Sequence, residues 1–321
     1  MEEVLRLINE RDSFVVAGHT GPDGDAIGSC FALAIALDKL GKKVQVVLES
    51  YAKKYMIIPG REFLYTGELD SLAPEVFIAL DCADTARLGT AKAIFDRTVE
   101  TVCIDHHETN DGFAMYNYIE ADASSTCELA FRVIERLVEP TEEIAAAIYS
   151  GMVCDTGGFR YNATAKSTMV TAARLMEKIP FSKIYNELMH QHGFSAGKVL
   201  GLAMEKSKRT EDKKIVYTFM SREMLASANA DPSDMDGIVE YLMGTRRAKA
   251  AIFVYEKASE KTSVKVSLRS QGPNMGRVAN ALGGGGHVLA AGATVEGTID
   301  DVMKRVLKLV TQEVAVYEKR K

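Results

Sequence analysis

Four short apolar runs in this chain each lead directly into an acid or a histidine. Residues 14–18 (FVVAG) precede His19, and residues 76–80 (VFIAL) precede Asp81. Residues 101–104 (TVCI) precede Asp105-His106-His107, and the run AAAIYSGMVC, expected as an apolar helix rather than a strand, precedes Asp155. A run buried along its length and charged at its end suits a strand of a parallel sheet. Such a sheet is covered on both faces, and ligands bind outside the carboxyl ends of its strands. Three of the clusters, and by extension the fourth, are therefore expected in one crevice.

The surrounding pattern agrees. Strands are expected at 14–18, 44–48, 76–80 and 101–104, and helices at 26–40, 126–138, 142–153 and 166–177. This alternation predicts an α/β domain with a parallel sheet. Beyond Pro180 the pattern changes. A connecting helix is expected at 181–192, and the Gly- and Ser-bearing stretch 193–201 reads as a hinge. Strands at 215–220, 250–255 and 263–268, with helices at 235–243, 275–282 and 300–317, predict a smaller α/β domain with a mixed sheet. The expected divisions are 1–185, a connecting helix and hinge at 186–204, and 205–321, with a cleft between the two domains.

Charge sharpens this division. The 321 residues carry a net −5. Residues 1–204 hold 19 Lys/Arg against 29 Asp/Glu, whereas residues 205–321 hold 20 against 15. An acidic part joined to a basic one predicts two surfaces with different electrostatic tasks. The five cysteines are odd in number, form no CxxC and lie mostly in apolar runs, the usage of a reducing cytoplasm. The longest apolar stretch, 30–37, is too short to span a bilayer, and the opening MEEVLRLINERD is unlike a signal peptide. With no Trp and little interleaving of basic and aromatic residues, no platform for long nucleic acid is expected.

The acids themselves indicate a cation. Asp23, Asp25, Asp81 and Asp155, with His19 and His106 or His107, have few basic residues beside them. Crowded carboxylates repel unless a cation neutralises them. Mixed Asp/His donors suit Mn²⁺ or Mg²⁺. Asp23 and Asp25, separated by Gly24, are placed to face two different ions. His106 and His107 are adjacent, so an extended backbone would send them to opposite sides: one to an ion, the other to substrate.

In the basic part, Gly283-Gly284-Gly285-Gly286-His287 permits close approach of a phosphate to successive N–H groups, with His287 as a further donor. Arg269 suits bidentate phosphate binding, and Arg160 lies shortly after Asp155. His190, His192, Arg246 and Arg247 read as solvated, the 14 Met as core filler, and Cys82, Cys103 and Cys154 as packing residues.

These motifs together resemble the DHH/DHHA1 phosphoesterases. The namesake triplet is Asp105-His106-His107. His19-x-x-Pro22-Asp23-Gly24-Asp25-Ala26-x-Gly28-Ser29 matches the first motif, Asp81 the second and Asp155-Thr156-Gly157 the fourth. The C-terminal signature is the Gly283–His287 run followed by Ala290-Ala291-Gly292, preceded by Ser267-Leu268-Arg269-Ser270. The resemblance covers nearly the whole chain, and the short format resembles the subgroup of oligoribonucleases that also hydrolyse 3′-phosphoadenosine 5′-phosphate (pAp).

The resemblance implies one Mn²⁺ held by His19, Asp23 and Asp81. It implies a second held by Asp25, Asp81, His106 and Asp155, with Mg²⁺ as a substitute. It implies His107 facing the scissile phosphate and Asp105 fixing a histidine tautomer. Arg269, Ser270, Gly284, Gly285, Gly286, His287 and Arg160 would bind substrate. Substrates would be short oligonucleotides and nucleotide bisphosphates, with neither long duplex nor membrane as partner and a homodimer left open. Phosphodiesterase action on linear or cyclic dinucleotides is the enzymatic alternative. A silent nucleotide sensor is the alternative of another class.

Overall fold

The apolar runs of the first half pair side by side. The computed structural model describes residues 1–257 and 262–320, and it divides the chain into a first unit, Met1–Gln191, and a second, His192–Lys321. In chain order the first unit contains α1 (Glu2–Glu10), β1 (Ser13–Ala17), α2 (Gly24–Lys39), β2 (Lys43–Val47), β3 (Val76–Leu80) and α3 (Lys92–Arg97). It continues with β4 (Glu100–Asp105), β5 (Tyr116–Ile119), α4 (Thr126–Ile134), α5 (Glu142–Asp155), α6 (Lys166–Met176) and α7 (Phe181–Met189). The five strands are all parallel, in the order β2-β1-β3-β4-β5. The connection order reverses between β1 and β3, the position where doubly wound sheets open a ligand crevice.

Strand alternation divides the unit's core. Phe14, Val16, Ile78 and Ile104 join a large cluster with α2, α4 and α5, while Val15, Ala17, Phe77 and Ala79 pack on the opposite face with Leu88 and Ile94. Helix α2 is buried from Gly24 to Leu37, so its apolar surface runs all the way round. It lies tightly on α5. A Cβ on Gly28 would overlap the carbonyl of Ala147, and one on Gly24 would overlap Cys154. That close approach carries the C-terminal end of α5, and Asp155 with it, to the start of α2.

The second unit contains α8 (Phe194–Glu205), β6 (Lys208–Arg209), β7 (Ile215–Met220), α9 (Arg222–Ser227), α10 (Ile238–Met243), β8 (Ala250–Glu256) and β9 (Ser263–Ser270). After these come α11 (Met275–Ala281), β10 (Gly285–Gly286), β11 (Ala290–Glu296) and α12 (Ile299–Lys319). Its six strands run β10-β11-β9-β8-β7-β6, parallel only between β7 and β8. One face packs on α11 and α12, through Leu268, Met275, Val306 and Val310. The other packs on α8 and α10, through Val199, Val239, Leu242 and Phe253.

The structure departs from the sequence pattern in three places. The stretch 193–201, expected as a hinge, is the N-cap and opening turns of α8. Its glycines cost helix propensity, roughly 1 kcal/mol each, without breaking the helix. The non-helical break between α7 and α8 lies instead at residues 190–193. Strand β5 (YNYI) is hidden by its shortness. The Ala-rich run after His287 is β11, whose small side chains let β10 fold back on it.

Candidate metal centre

Asp23, Asp25, Asp81 and Asp105 are each held by a local device. Asp23 is the N-cap of α2, its Oδ1 accepting from the N–H groups of Asp25 (2.9 Å) and Ala26 (3.2 Å). Asp25, fully buried in the first turn, turns both oxygens to the start of α4: Oδ2 accepts from Thr126 N (2.6 Å) and Oδ1 from Cys127 N (2.9 Å). A helix N-terminus favours this carboxylate. Asp81 follows β3 with φ at 59°, left-handed backbone that Asp tolerates better than most residues. Its Oδ1 accepts from the Thr126 hydroxyl (3.0 Å).

Asp105 ends β4 wholly buried. Its Oδ1 accepts from His106 N (2.9 Å) and His107 Nδ1 (2.7 Å), and its Oδ2 from Asn110 Nδ2 (2.7 Å).

These devices bring the ligand candidates together in two groups that share Asp81. In the first, His19 Nε2 lies 3.8 Å from Asp23 Oδ1 and 3.6 Å from Asp81 Oδ2. In the second, His106 Nε2 lies 3.9 Å from Asp25 Oδ2, 3.6 Å from Asp81 Oδ1 and 3.5 Å from Asp155 Oδ2. Among the described residues, three sets of three donors lie close enough to hold a metal ion, His19-Asp23-Asp81, Asp25-His106-Asp155 and Asp81-His106-His107, and the separations suit donors surrounding a common cation. The tautomer of His106 agrees. Its Nδ1 is 3.3 Å from the carbonyl of Ala123, which only accepts, so Nδ1 carries the proton and Nε2 offers its lone pair.

The neighbouring histidines do not diverge as an extended backbone would require. Their ring centroids are 4.9 Å apart, and His107 Nδ1 is 3.7 Å from Asp81 Oδ1. The chain leaves the strand at Asp105, so strand alternation ends there. What distinguishes them is Asp105, which accepts a hydrogen bond from His107 Nδ1.

The electrostatics show what the cluster lacks. Burial, with Asp81, Asp155 and Asp23 nearby, pushes Asp25 well above the carboxylate range. Burial likewise raises Asp81, and Asp155 is pushed up to about 6. Among the described residues none of these three makes an ion pair with Lys or Arg. Divalent cations would supply the missing charge and hold all three ionised. The thiols do not compete as ligands, since burial pushes Cys103 and Cys154 up to about 12. His107 is also shifted: its hydrogen bond to Asp105 pushes it up to about 9, and it stays partly exposed as a cationic donor. Asp105 itself is held low, His107 and Asn110 outweighing its burial.

The substrate candidates are placed differently. Gly285 and Gly286 pair with Gly292 and Ala291, and His287 N donates to the Ala290 carbonyl (2.7 Å), closing a hairpin. Gly284 and Gly286 lie so close to β11 that a Cβ at either would overlap its backbone. The glycine run is thus built into a sheet edge, with Gly285, Gly286 and His287 exposed. Arg269 is engaged by Glu240 of α10, Nη2 to Oε1 at 2.7 Å. Ser270 is buried, its hydroxyl donating to the Pro273 carbonyl (2.5 Å), which makes it a turn residue. Arg160 follows three left-handed residues, Gly157, Gly158 and Phe159, and its Nε turns back to the Gly157 carbonyl (2.8 Å). His190, His192, Arg246 and Arg247 are exposed.

Three contributors escape the sequence reading: Thr126, Asn110 and Arg87. Arg87 places Nη2 3.0 Å from His19 Nδ1. Asn110 follows the triplet it supports, and a polar residue just after a candidate ligand is the signal that could find it; Thr126 lies 45 residues from Asp81 and 101 from Asp25, so nothing local in the sequence marks it.

The same motifs and fold recur in known proteins. Residues 13–152 match the family described as "DHH family, N-terminal domain", and residues 212–315 match the "DHHA1 domain". A Thermus thermophilus protein named bifunctional oligoribonuclease and PAP phosphatase NrnA is 31% identical over 317 residues, covering 97% of this chain and 92% of that one. The Bacillus subtilis protein of the same name is 26% identical over 309 residues, covering 91% and 92%. An exopolyphosphatase-related protein from Bacteroides fragilis superposes with a TM-score of 0.91 at 25% identity, covering 99% and 97%. RecJ from Thermus thermophilus, solved with Mn²⁺, shares the fold at a TM-score of 0.59 and 16% identity, this chain spanning 54% of it.

Proposed function

The chain belongs to the DHH family of phosphoesterases, with a DHHA1 domain after the DHH domain, and on that footing we propose a specific hydrolase. It cleaves short oligonucleotides to 5′-mononucleotides and removes the 3′-phosphate of pAp to give AMP. The reading draws on the names of the relatives and, above all, on one observation: two donor groups share the two oxygens of Asp81.

His19, Asp23 and Asp81 would hold one Mn²⁺, and Asp25, Asp81, His106 and Asp155 the other, with Mg²⁺ as substitute. Bound there, the cations would activate water and polarise a phosphoryl oxygen. The remaining work falls to protein groups. Thr126 and the α4 N-terminus fix Asp81 and Asp25. Asp105 orients His107, whose Nε2–H is free to donate to the phosphate or the leaving oxygen. In the second unit, the exposed edge at Gly285 and Gly286, with the His287 side chain, grips a terminal phosphate. Arg269 joins them by exchanging Glu240 for the substrate anion. Among the described residues no helix is long and apolar enough to cross a membrane. The free thiols suit work in the cytoplasm.

The test is a substrate panel of pAp and di- to pentanucleotides, incubated with Mn²⁺ or Mg²⁺ and resolved by product chromatography. Release of AMP and mononucleotides is expected. Intact pAp and intact oligonucleotides with either metal would sink the assignment.

A further inference from the structure

Arg87 is a cation of the first unit whose side chain bonds to a candidate ligand. It lies in a 3-10 turn, Thr85–Ala91, after β3, and among the described residues it forms no ion pair although acids crowd the site beside it. Its backbone is firmly seated. Asp84 Oδ1 accepts from Ala86 N (2.8 Å) and Arg87 N (3.1 Å), and the Arg87 carbonyl accepts from Thr20 N (2.7 Å). Gly89, at φ 53°, completes the turn where a Cβ would overlap Thr20 and Glu49. The loop after β3 is thereby pinned to the loop after β1, which carries His19. Among the described residues the side chain bonds to His19 alone, Nη2 to Nδ1 at 3.0 Å.

That bond conflicts with His19 acting as a ligand. A guanidinium only donates, so it needs a lone pair on Nδ1. An imidazole that binds a cation through Nε2 carries its proton on Nδ1, and the Thr20 carbonyl, 3.0 Å from Nδ1, is the acceptor in place for it. In that tautomer His19 has nothing to offer Arg87. A fixed cation, one side chain away from a site for phosphate esters and without a carboxylate of its own, is suited to an anionic ligand.

We propose that Arg87 is a phosphate-binding residue of this site, parked on His19 and turned to an oxygen of the substrate's phosphate when His19 takes a cation. The proposal rests on the phosphoesterase reading for its substrate, pAp, but its chemistry requires only a phosphate.

The experiment compares the full-length protein with R87A and R87K, each loaded with Mn²⁺. Bound Mn²⁺ is counted by atomic absorption, inorganic phosphate binding is measured by calorimetry, and kcat and KM are determined for pAp. In R87A the metal content should stay at the wild-type value, phosphate affinity should fall about tenfold or more, and KM for pAp should rise to match. R87K should recover only part of this, because an ammonium lacks the planar fork. Unchanged phosphate binding in R87A would overturn the proposal. So would a loss of Mn²⁺ parallel to the loss of phosphate binding, which would make Arg87 a support for His19. A wild-type protein inert toward both pAp and oligonucleotides would break the phosphoesterase reading. The phosphate measurement would still decide the role of Arg87.

Discussion

The two units prepare their chemistry in opposite ways. In the first, His19, Asp25 and Asp81 are buried and His106 and Asp155 partly so, and Asp23, Asp25 and Asp81 are fixed by a backbone N–H or a hydroxyl, so much of the cluster is assembled before anything binds. In the second, the candidate phosphate-binding groups sit on an exposed hairpin, and Arg269 is already engaged by Glu240. Buried charge must be organised in advance, because desolvation without compensation costs several kcal/mol per ion. Exposed charge can stay in provisional bonds, because a surface ion pair is worth only about 0–1 kcal/mol. One unit is built for permanence and the other for exchange.

The contrast is most vulnerable at Asp81. Asp81→Asn should all but abolish turnover and lower the bound metal, read by activity assay and atomic absorption together; near-normal rates would end the shared-carboxylate mechanism. A step down are the supports. Thr126→Val or Asn110→Ala should cost about 10- to 100-fold in metal affinity or rate, as losses of groups that orient ligands do. Effects below twofold would mean that the cluster holds itself.

Acidity probes the same unit. A metal needs Asp155 ionised, and that carboxyl is pushed up to about 6. Affinity for Mn²⁺ should therefore hold at neutral pH and weaken as pH falls through about 6. A flat titration between pH 7 and 5 would contradict it. The second unit should give smaller changes. Arg269→Ala should raise KM for pAp about tenfold with less change in kcat. Glu240→Gln, which frees Arg269, should lower KM a few-fold; a rise would show that Glu240 holds Arg269 in its working pose.

How far the sequence reveals all this follows the same division. His19, Asp81 and the Asp105–His107 triplet are legible because an acid or histidine closing an apolar run sits where a parallel sheet presents its ligands, and Asp155 is legible as the acid closing the apolar helix α5. Strand β3 is legible to the residue because all five of its side chains are buried. Arg87 is not, because its role depends on two loops meeting after β1 and β3. The paired behaviour of His106 and His107 is not, because the chain leaves its strand one residue earlier. The 193–201 stretch misleads because Gly and Ser signal a break only when packing does not override propensity; here Val199 and Ala203 are buried against the second sheet.

The order β2-β1-β3-β4-β5 bears on how the protein comes apart and together. The candidate ligands span residues 19 to 155, and parallel pairing requires long crossovers before any two of them meet. No fragment folding early on local contacts would hold the full set, so cation capture belongs to the last stage of assembly. It then acts as a latch. At a hundred times its dissociation constant, a metal that binds only the native state adds about 2.7 kcal/mol. The second unit supplies none of the candidate ligands. A melting curve recorded with increasing Mn²⁺ should therefore separate into a transition that climbs and one that stays where it was.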